Sequence, residues 1–194
     1  IYAMVRAFQS ALGTMRAVND ELIAIQKVTG YTAQQMDALT ESAYKLATQY
    51  GRSADEVLSA VTAFARAGYG EQAESLAELS LLTQNVGDVS ADAASKFLIA
   101  ADAAWKLGGN EDALMRILDG LNEVTNRNAV DMDALTEAIT VGGSVFAEAG
   151  ESTQTFTALV GAAVSATQRS GGEVARALRT ILMNIRQIRG ELED

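Results

Sequence analysis

Three stretches of this 194-residue chain carry side chains at spacings that could do chemistry. Asp88-Val89-Ser90-Ala91-Asp92 opens with the oxygen rhythm of a calcium loop. Its sixth position is Ala93, where the sharp turn needs Gly, and its twelfth is Ile99, where a bidentate Glu should close the cage, so it reads as a helix start. Gly68-Tyr69-Gly70-Glu71-Gln72-Ala73 spells the dinucleotide fingerprint, whose chemistry is a pyrophosphate seated on a helix N-terminus that follows a strand. Here a helical segment precedes it and no parallel sheet is predicted, so the letters read as a turn between helices. Asp131, Asp133 and Glu137 could offer oxygens to a cation. The two aspartates fall in a first helical turn, where carboxylates complement the helix dipole, and Asp133 and Glu137 read as sharing a solvated face. Trp105, the only Trp, reads as a core anchor at the end of its helix.

The missing residue types narrow the chemistry further. The chain has no Cys, His or Pro, which removes disulfides, thiol nucleophiles, structural zinc, haem ligation and the commonest general base. The remaining acids and bases are carboxylates, Lys, Arg and Tyr, and none cluster. We therefore expect no enzyme and assign no catalytic, cofactor-binding or metal-binding residue. Net charge is −10 with a pI near 4.5, which lacks the basic footprint of a nucleic-acid binder, so no direct nucleic-acid binding is expected. With 48% apolar and 21% charged residues the chain is long enough to bury a core.

The chain opens Ile1-Tyr2-Ala3-Met4, with no basic region followed by an apolar core, so no signal peptide is read. The absent initiator Met gives the expectation of a piece cut from something longer. The longest uncharged run, Ser152 to Gln168, is seventeen residues studded with Ser, Thr and Gln. A lone spanning helix needs roughly 20 mainly apolar residues, so membrane contact is not expected of this segment.

An alanine-rich, proline-free composition with few aromatics favours helix nearly everywhere. Glycines divide the chain, and capping residues follow most of them: Thr32, Ser53 with Glu56, Ser90, Asn110, Asp131 and Ser152. The spacing predicts nine helices near 1–28, 33–50, 54–67, 71–86, 91–107, 111–127, 132–149, 153–168 and 173–189. Val57, Leu58, Val61, Phe64 and Ala65 recur at helical spacing, as do Leu114, Ile117, Leu118, Leu121 and Val124. No such helix buries its stripe alone. The expected fold is all-α, a multihelical bundle of about nine helices in helical hairpins with long helices at both ends.

Met36-Asp37-Ala38-Leu39-Thr40-Glu41 recurs as Met132-Asp133-Ala134-Leu135-Thr136-Glu137. The expected organisation is a long N-terminal helix over 1–30 and a helical core domain over 31–190. Within the core, 32–86 and 131–189 are candidate repeat units and 90–127 holds intervening helices.

Two patterns at the end of the chain point to an interaction surface. Val174, Leu178, Ile181, Ile185, Ile188 and Leu192 follow one another at alternating steps of four and three, the spacing of a coiled-coil seam that either packs on the core or joins copies of the chain. Within residues 169–189, Arg169, Arg176, Arg179, Arg186 and Arg189 stand against Glu173 alone, whereas residues 1–168 carry ten basic and 21 acidic side chains. In the heptad register Arg176, Arg179 and Arg186 fall on the face away from the seam, a basic stripe toward an acidic partner. Ile1, Val5, Phe8, Leu12 and Met15 form a shorter stripe of the same kind, which slips by one residue at Val18.

The run Gln26-Lys27-Val28-Thr29-Gly30, then Gly51-Arg52-Ser53-Ala54-Asp55-Glu56-Val57 and Phe64-Ala65-Arg66-Ala67-Gly68-Tyr69-Gly70, resembles the shared core region of phage tail tape measure proteins. So do Ala129 through Ala138, Ala149-Gly150-Glu151-Ser152, and Arg169-Ser170-Gly171-Gly172-Glu173-Val174-Ala175-Arg176-Ala177-Leu178-Arg179-Thr180-Ile181-Leu182. The likeness runs from about residue 26 to 190, and its strength lies in the order and spacing of degenerate motifs. It implies a structural role as one helical domain of a long chain that fills the tail tube lumen, sets tail length during assembly and leaves ahead of the genome. The implied partners are the tail tube protein, tail tip or baseplate hub proteins and tail assembly chaperones, with homo-oligomer formation, in the virion or in the host cytoplasm during assembly. A domain this small is not itself the ruler, since an extended helix gains about 1.5 Å per residue.

Two other classes compete. A generic helical interaction module, an adaptor or secreted effector, would share every physical feature above. A carboxylate-based glycosidase or wall-degrading domain would need a rigid cleft with stacking aromatics, which 6% aromatic residues do not favour.

Overall fold

The computed structural model describes residues 2–193, with side chains left out of the description in the first and last turns. Among the described residues there are nine α-helices and no strand. They are α1 (Tyr2–Thr29), α2 (Ala33–Tyr50), α3 (Ala54–Arg66), α4 (Ala73–Gly87), α5 (Ala91–Trp105), α6 (Glu111–Arg127), α7 (Met132–Glu148), α8 (Thr153–Thr167) and α9 (Gly171–Glu193).

Their starts follow the caps. Thr32 and Gln35 form a reciprocal box at α2: the Gln35 N–H donates to Thr32 Oγ1 at 3.3 Å and the Thr32 N–H to Gln35 Oε1 at 3.0 Å. The Ser53 N–H donates to Glu56 Oε2 at 3.0 Å before α3. Ser90, Asn110, Asp131 and Ser152 each accept from the backbone three residues on.

Four boundaries differ from the sequence expectation by two residues or more, among them the end of α9, which runs to Glu193 where 189 was expected. Gly70–Gln72 forms a 3-10 turn ahead of α4, where the helix was expected from residue 71. Helix α5 stops at Trp105 because Lys106 turns left-handed, and Leu107 then donates back to the Asp102 carbonyl at 3.1 Å. Helix α9 begins at Gly171, two residues early, for a packing reason given below.

The chain divides into two compact units at Leu82 and Thr83, inside α4. In the first, α3 lies between α1 and α2. It buries Val57, Leu58, Val61, Phe64 and Ala65, the stripe read from the sequence. Val18 and Ile25 of α1 and Leu39, Ala43, Leu46 and Ala47 of α2 are buried with them. Thr62 in α3 donates to Glu21 Oε2 in α1 at 2.7 Å. Hydroxyls tie α2 to the carboxylates of α4: Ser42 donates to Glu74, and the Tyr50 phenol to Glu78 Oε1 at 2.9 Å.

In the second unit α7 is the central helix, packed by α5, α8 and α9. Its two adjacent glycines admit neighbours on different sides. A Cβ on Gly142 would stand 3.2 Å from both Ala175 of α9 and Phe156 of α8, and one on Gly143 would stand 3.2 Å from the Trp105 ring. Trp105 therefore lies half-buried on α7, its indole N–H donating to the Glu151 carbonyl at 3.1 Å. The rings of Phe146 and Phe156 pack tilted at 44° with centroids 4.5 Å apart. The buried carboxylate of Asp102 accepts from the Gly109 N–H at 2.7 Å and closes the turn between α5 and α6. The repeated hexapeptide starts four residues past the cap in α2 and directly after it in α7, and in both copies the leucine, Leu39 or Leu135, is buried.

Candidate interaction surface on the last helix

Helix α9 is seated at its first turn. A Cβ on Gly171 would fall 1.7 Å from the backbone oxygen of Ala134 in α7, and one on Gly172 would fall 2.4 Å from Glu137 Oε1. Only residues without a side chain can approach so closely, so the helix starts at the glycine pair. Glu137 is solvent-exposed, as expected, but does more than share a solvated face: Oε2 accepts from the Gly172 N–H at 2.9 Å. A carboxylate thus meets the positive end of α9. Ser170 adds the local cap, its Oγ accepting from the Glu173 N–H at 3.2 Å. The doubled glycine was the available signal for this close approach. Glu137's role depends on a contact across 35 residues and was not readable.

Beyond that seat the helix presents three faces. Gly171, Val174 and Ala175 are buried and Leu178 and Leu182 half-buried, forming the side that rests on the unit. Ile181, Ile185 and Ile188 are 54%, 57% and 58% exposed. At about 100° per residue the resting side and the isoleucine stripe point about 80° apart. The expected seam is thus divided: Val174 and Leu178 serve the chain's own core, Ile181, Ile185 and Ile188 face outward, and the Leu192 side chain lies outside the described residues. Arg176, Arg179 and Arg186 are exposed on the remaining arc, and among the described residues no carboxylate comes within ion-pair distance of them. Arg169 lies 3.7 Å from Glu173 in an exposed pair.

The early stripe behaves similarly where it can be followed. Leu12 and Met15 are exposed, while the side chains of Ile1, Val5 and Phe8 lie outside the described residues. From Val18 onward, where the spacing slips, α1 packs on α3 and buries Val18 and Ile25, while Ile23 and Val28 stay exposed.

The other candidate sites resolve into local structure. Ser90 caps α5 and Asp92 pairs with Lys96 at 2.7 Å. Gly68 and Gly70 take positive φ in the turn after α3. Asp131 Oδ1 accepts from the Ala134 N–H at 2.8 Å. Among the described residues no group of three or more acidic side chains is placed to hold a metal ion, and no helix is long and apolar enough to cross a membrane. An open cleft of about 460 Å³ lies beside the α9 seat, lined by Asp131, Asp133, Glu137 and Arg169 among others.

A family model described as "Phage-related minor tail protein" matches residues 40–191. The probable tape measure protein of Escherichia phage P2 is 29% identical over 180 residues, 91% of this chain and 21% of that protein. The chain thus spans about a fifth of that relative's length. No solved structure matches it. The family match covers α3 through the Ser-Gly turn and nearly all of α9, so this chain belongs to the phage-related minor tail protein family, the tape measure proteins that its motifs resemble.

Proposed function

We propose that the chain is a helical domain of a tape measure protein, which occupies the tail tube lumen, sets tail length during assembly and is released ahead of genome ejection. The observation that carries this reading is the family match over residues 40–191, joined to a fold in which α9 continues past the unit that seats it. A helix leaving a compact domain supports a chain whose length resides in helical sequence around the domain, at about 1.5 Å per residue. The role is structural and involves no catalysis. The partners are the tail tube protein, the tail tip or baseplate hub and the tail assembly chaperones, met in the virion or in the host cytoplasm during assembly.

The test is genetic and uses the phage or prophage that encodes the chain. An in-frame deletion in the helical sequence of the same gene outside residues 40–191 is expected to give shorter tails, by an amount proportional to the residues removed. Deletion of α7 through α9 is expected to stop tail assembly without giving a proportionately short tail. Normal tail lengths after both deletions would overturn the reading.

A further inference from the structure

One cleft of the first unit has no part in the surface on α9. It measures about 420 Å³ and lies where α1 and α3 both end. Its walls are the turn after α1, with Thr29, Gly30 and Tyr31, and the turn after α3, with Gly68, Gly70 and Glu71. The Tyr31 phenol ties the two walls by donating to the Gly70 carbonyl at 3.2 Å, across 39 residues of sequence. We propose that this cleft receives an arginine side chain of a partner polypeptide.

The sign of the ligand follows from the ends of the helices. A helix finishes on carbonyls that have no donor within it, and its C-terminal end carries partial negative charge. At α1 the Gly30 N–H returns to the Gln26 carbonyl at 3.0 Å, which leaves the later carbonyls of that turn to other donors. Glu71 adds a full negative charge and, among the described residues that line the cleft, is the only charged one. Lys27 and Arg66 stand in the last turns of α1 and α3, but both are exposed and neither lines the cleft. Burial first, and then the charges of Glu71 and Glu74, hold the Tyr31 phenol above its ordinary value, so the negative potential reaches the tie between the walls. The letters Gly68 to Ala73, which spell an anion-binding fingerprint, thus follow the opposite pole of a helix, the one that draws cations.

The form of the cation follows from the lining. Exposed Val28 and buried Ala65 offer apolar surface to an aliphatic stem, and the Tyr31 ring suits a planar cation. A guanidinium presents several N–H donors in one plane, enough to meet Glu71 and helix-end carbonyls together, which a compact ammonium does not. A single carboxylate matches one positive charge rather than the several of a free polyamine. A Cβ added at Gly30, Gly68 or Gly70 would meet nothing within 4 Å, so the rim is open to the main chain that carries the arginine. The inference rests on the first unit alone, so its failure would leave the tail reading intact, and the tail-length experiment does not depend on it.

The test follows backbone amide resonances of the isotope-labelled chain. N-acetyl-arginine amide, capped at both ends as within a polypeptide, is expected to shift Gly30, Gly68 and Gly70 saturably with a midpoint of about 1 mM, ordinary for so small a ligand. N-acetyl-norleucine amide, which keeps a stem and lacks the guanidinium, and putrescine, a free diamine, are expected to bind at least about fivefold more weakly. Glu71→Gln, at an exposed position, is expected to raise the arginine midpoint about threefold, and high salt to act in the same direction. Asp37→Asn removes an exposed carboxylate of the same unit outside the cleft and is expected to leave the midpoint unchanged. No saturable shift, equal or tighter binding of norleucine amide or putrescine, a midpoint unmoved by Glu71→Gln, or one moved as far by Asp37→Asn, would each overturn the proposal.

Discussion

Gly171 and Gly120 carry the same residue type in opposite circumstances. At Gly171 a methyl group would overlap the carbonyl of Ala134, a backbone atom that cannot swing aside. At Gly120, inside α6, nothing lies within 4 Å of the same addition. Gly171→Ala is therefore expected to lower stability by about 2 kcal/mol or more through overpacking, and Gly120→Ala to raise it by about 1 kcal/mol through helix propensity. Chemical denaturation of the two variants checks both signs. Beyond the doubled glycine at 171 the sequence does not separate the two positions, because the difference lies in whether a distant segment comes near. Asp102 was hidden in the same way: an acidic residue in a helix reads as solvated until Gly109, seven positions on, folds back onto it.

The helices were legible because their signals are local. Apolar spacing in α3 and α6, and caps such as Thr32, Asn110 and Ser152, act within a few residues and locate starts to within one or two positions. What spacing could not give is which helices touch. That α7 is central to its unit rests on Gly142 and Gly143 admitting three neighbours, and a pair of glycines inside a helix reads at first as weakness. The hydroxyl ties between α2 and α4 were equally silent. Burial first, then the hydrogen bond to the Glu78 carboxylate, raises the Tyr50 phenol above its ordinary value of 10.0, and burial followed by Glu71 and Glu74 does the same for Tyr31. A raised phenol pKa means the folded form holds its proton longer, so this contribution is intact below about pH 10 and falls away as pH rises through the folded-state value. Ultraviolet titration of Glu78→Gln is expected to show the Tyr50 midpoint moving down toward the ordinary value. An unchanged midpoint would mean that the carboxylate does not hold the phenol.

Across the entire chain, charge and apolar surface are segregated rather than mixed. Eleven basic against 21 acidic side chains precede the closing helix, whose first nineteen residues, through Arg189, carry four arginines against Glu173. Arg179 and Arg186 are exposed and, among the described residues, touch no carboxylate, so replacing both by Ala is expected to leave the thermal midpoint within about 1 °C, an exposed charge being worth little to stability. Any loss should appear only in binding to acidic tail partners, and only at low salt, which pull-down at two ionic strengths would measure. A marked drop in midpoint would show instead that the arginines hold the fold. The segregation itself was visible in the sequence, whereas the division of one seam between a core and an outward stripe was not. A heptad has no marker for the point where a helix leaves its domain.

The seating of α9 also fixes a bearing. Because Gly171 and Gly172 lock the first turn to α7, every later residue of the helix points in a direction set relative to the domain. One residue inserted after Leu182 would swing Ile185 and Ile188 by about 100° relative to Ile181, whereas seven would return them to within about 20° of their original heading. Relatives should therefore tolerate length changes just beyond this point mainly in multiples near seven, an insertion phase imposed by two glycines more than ten residues upstream.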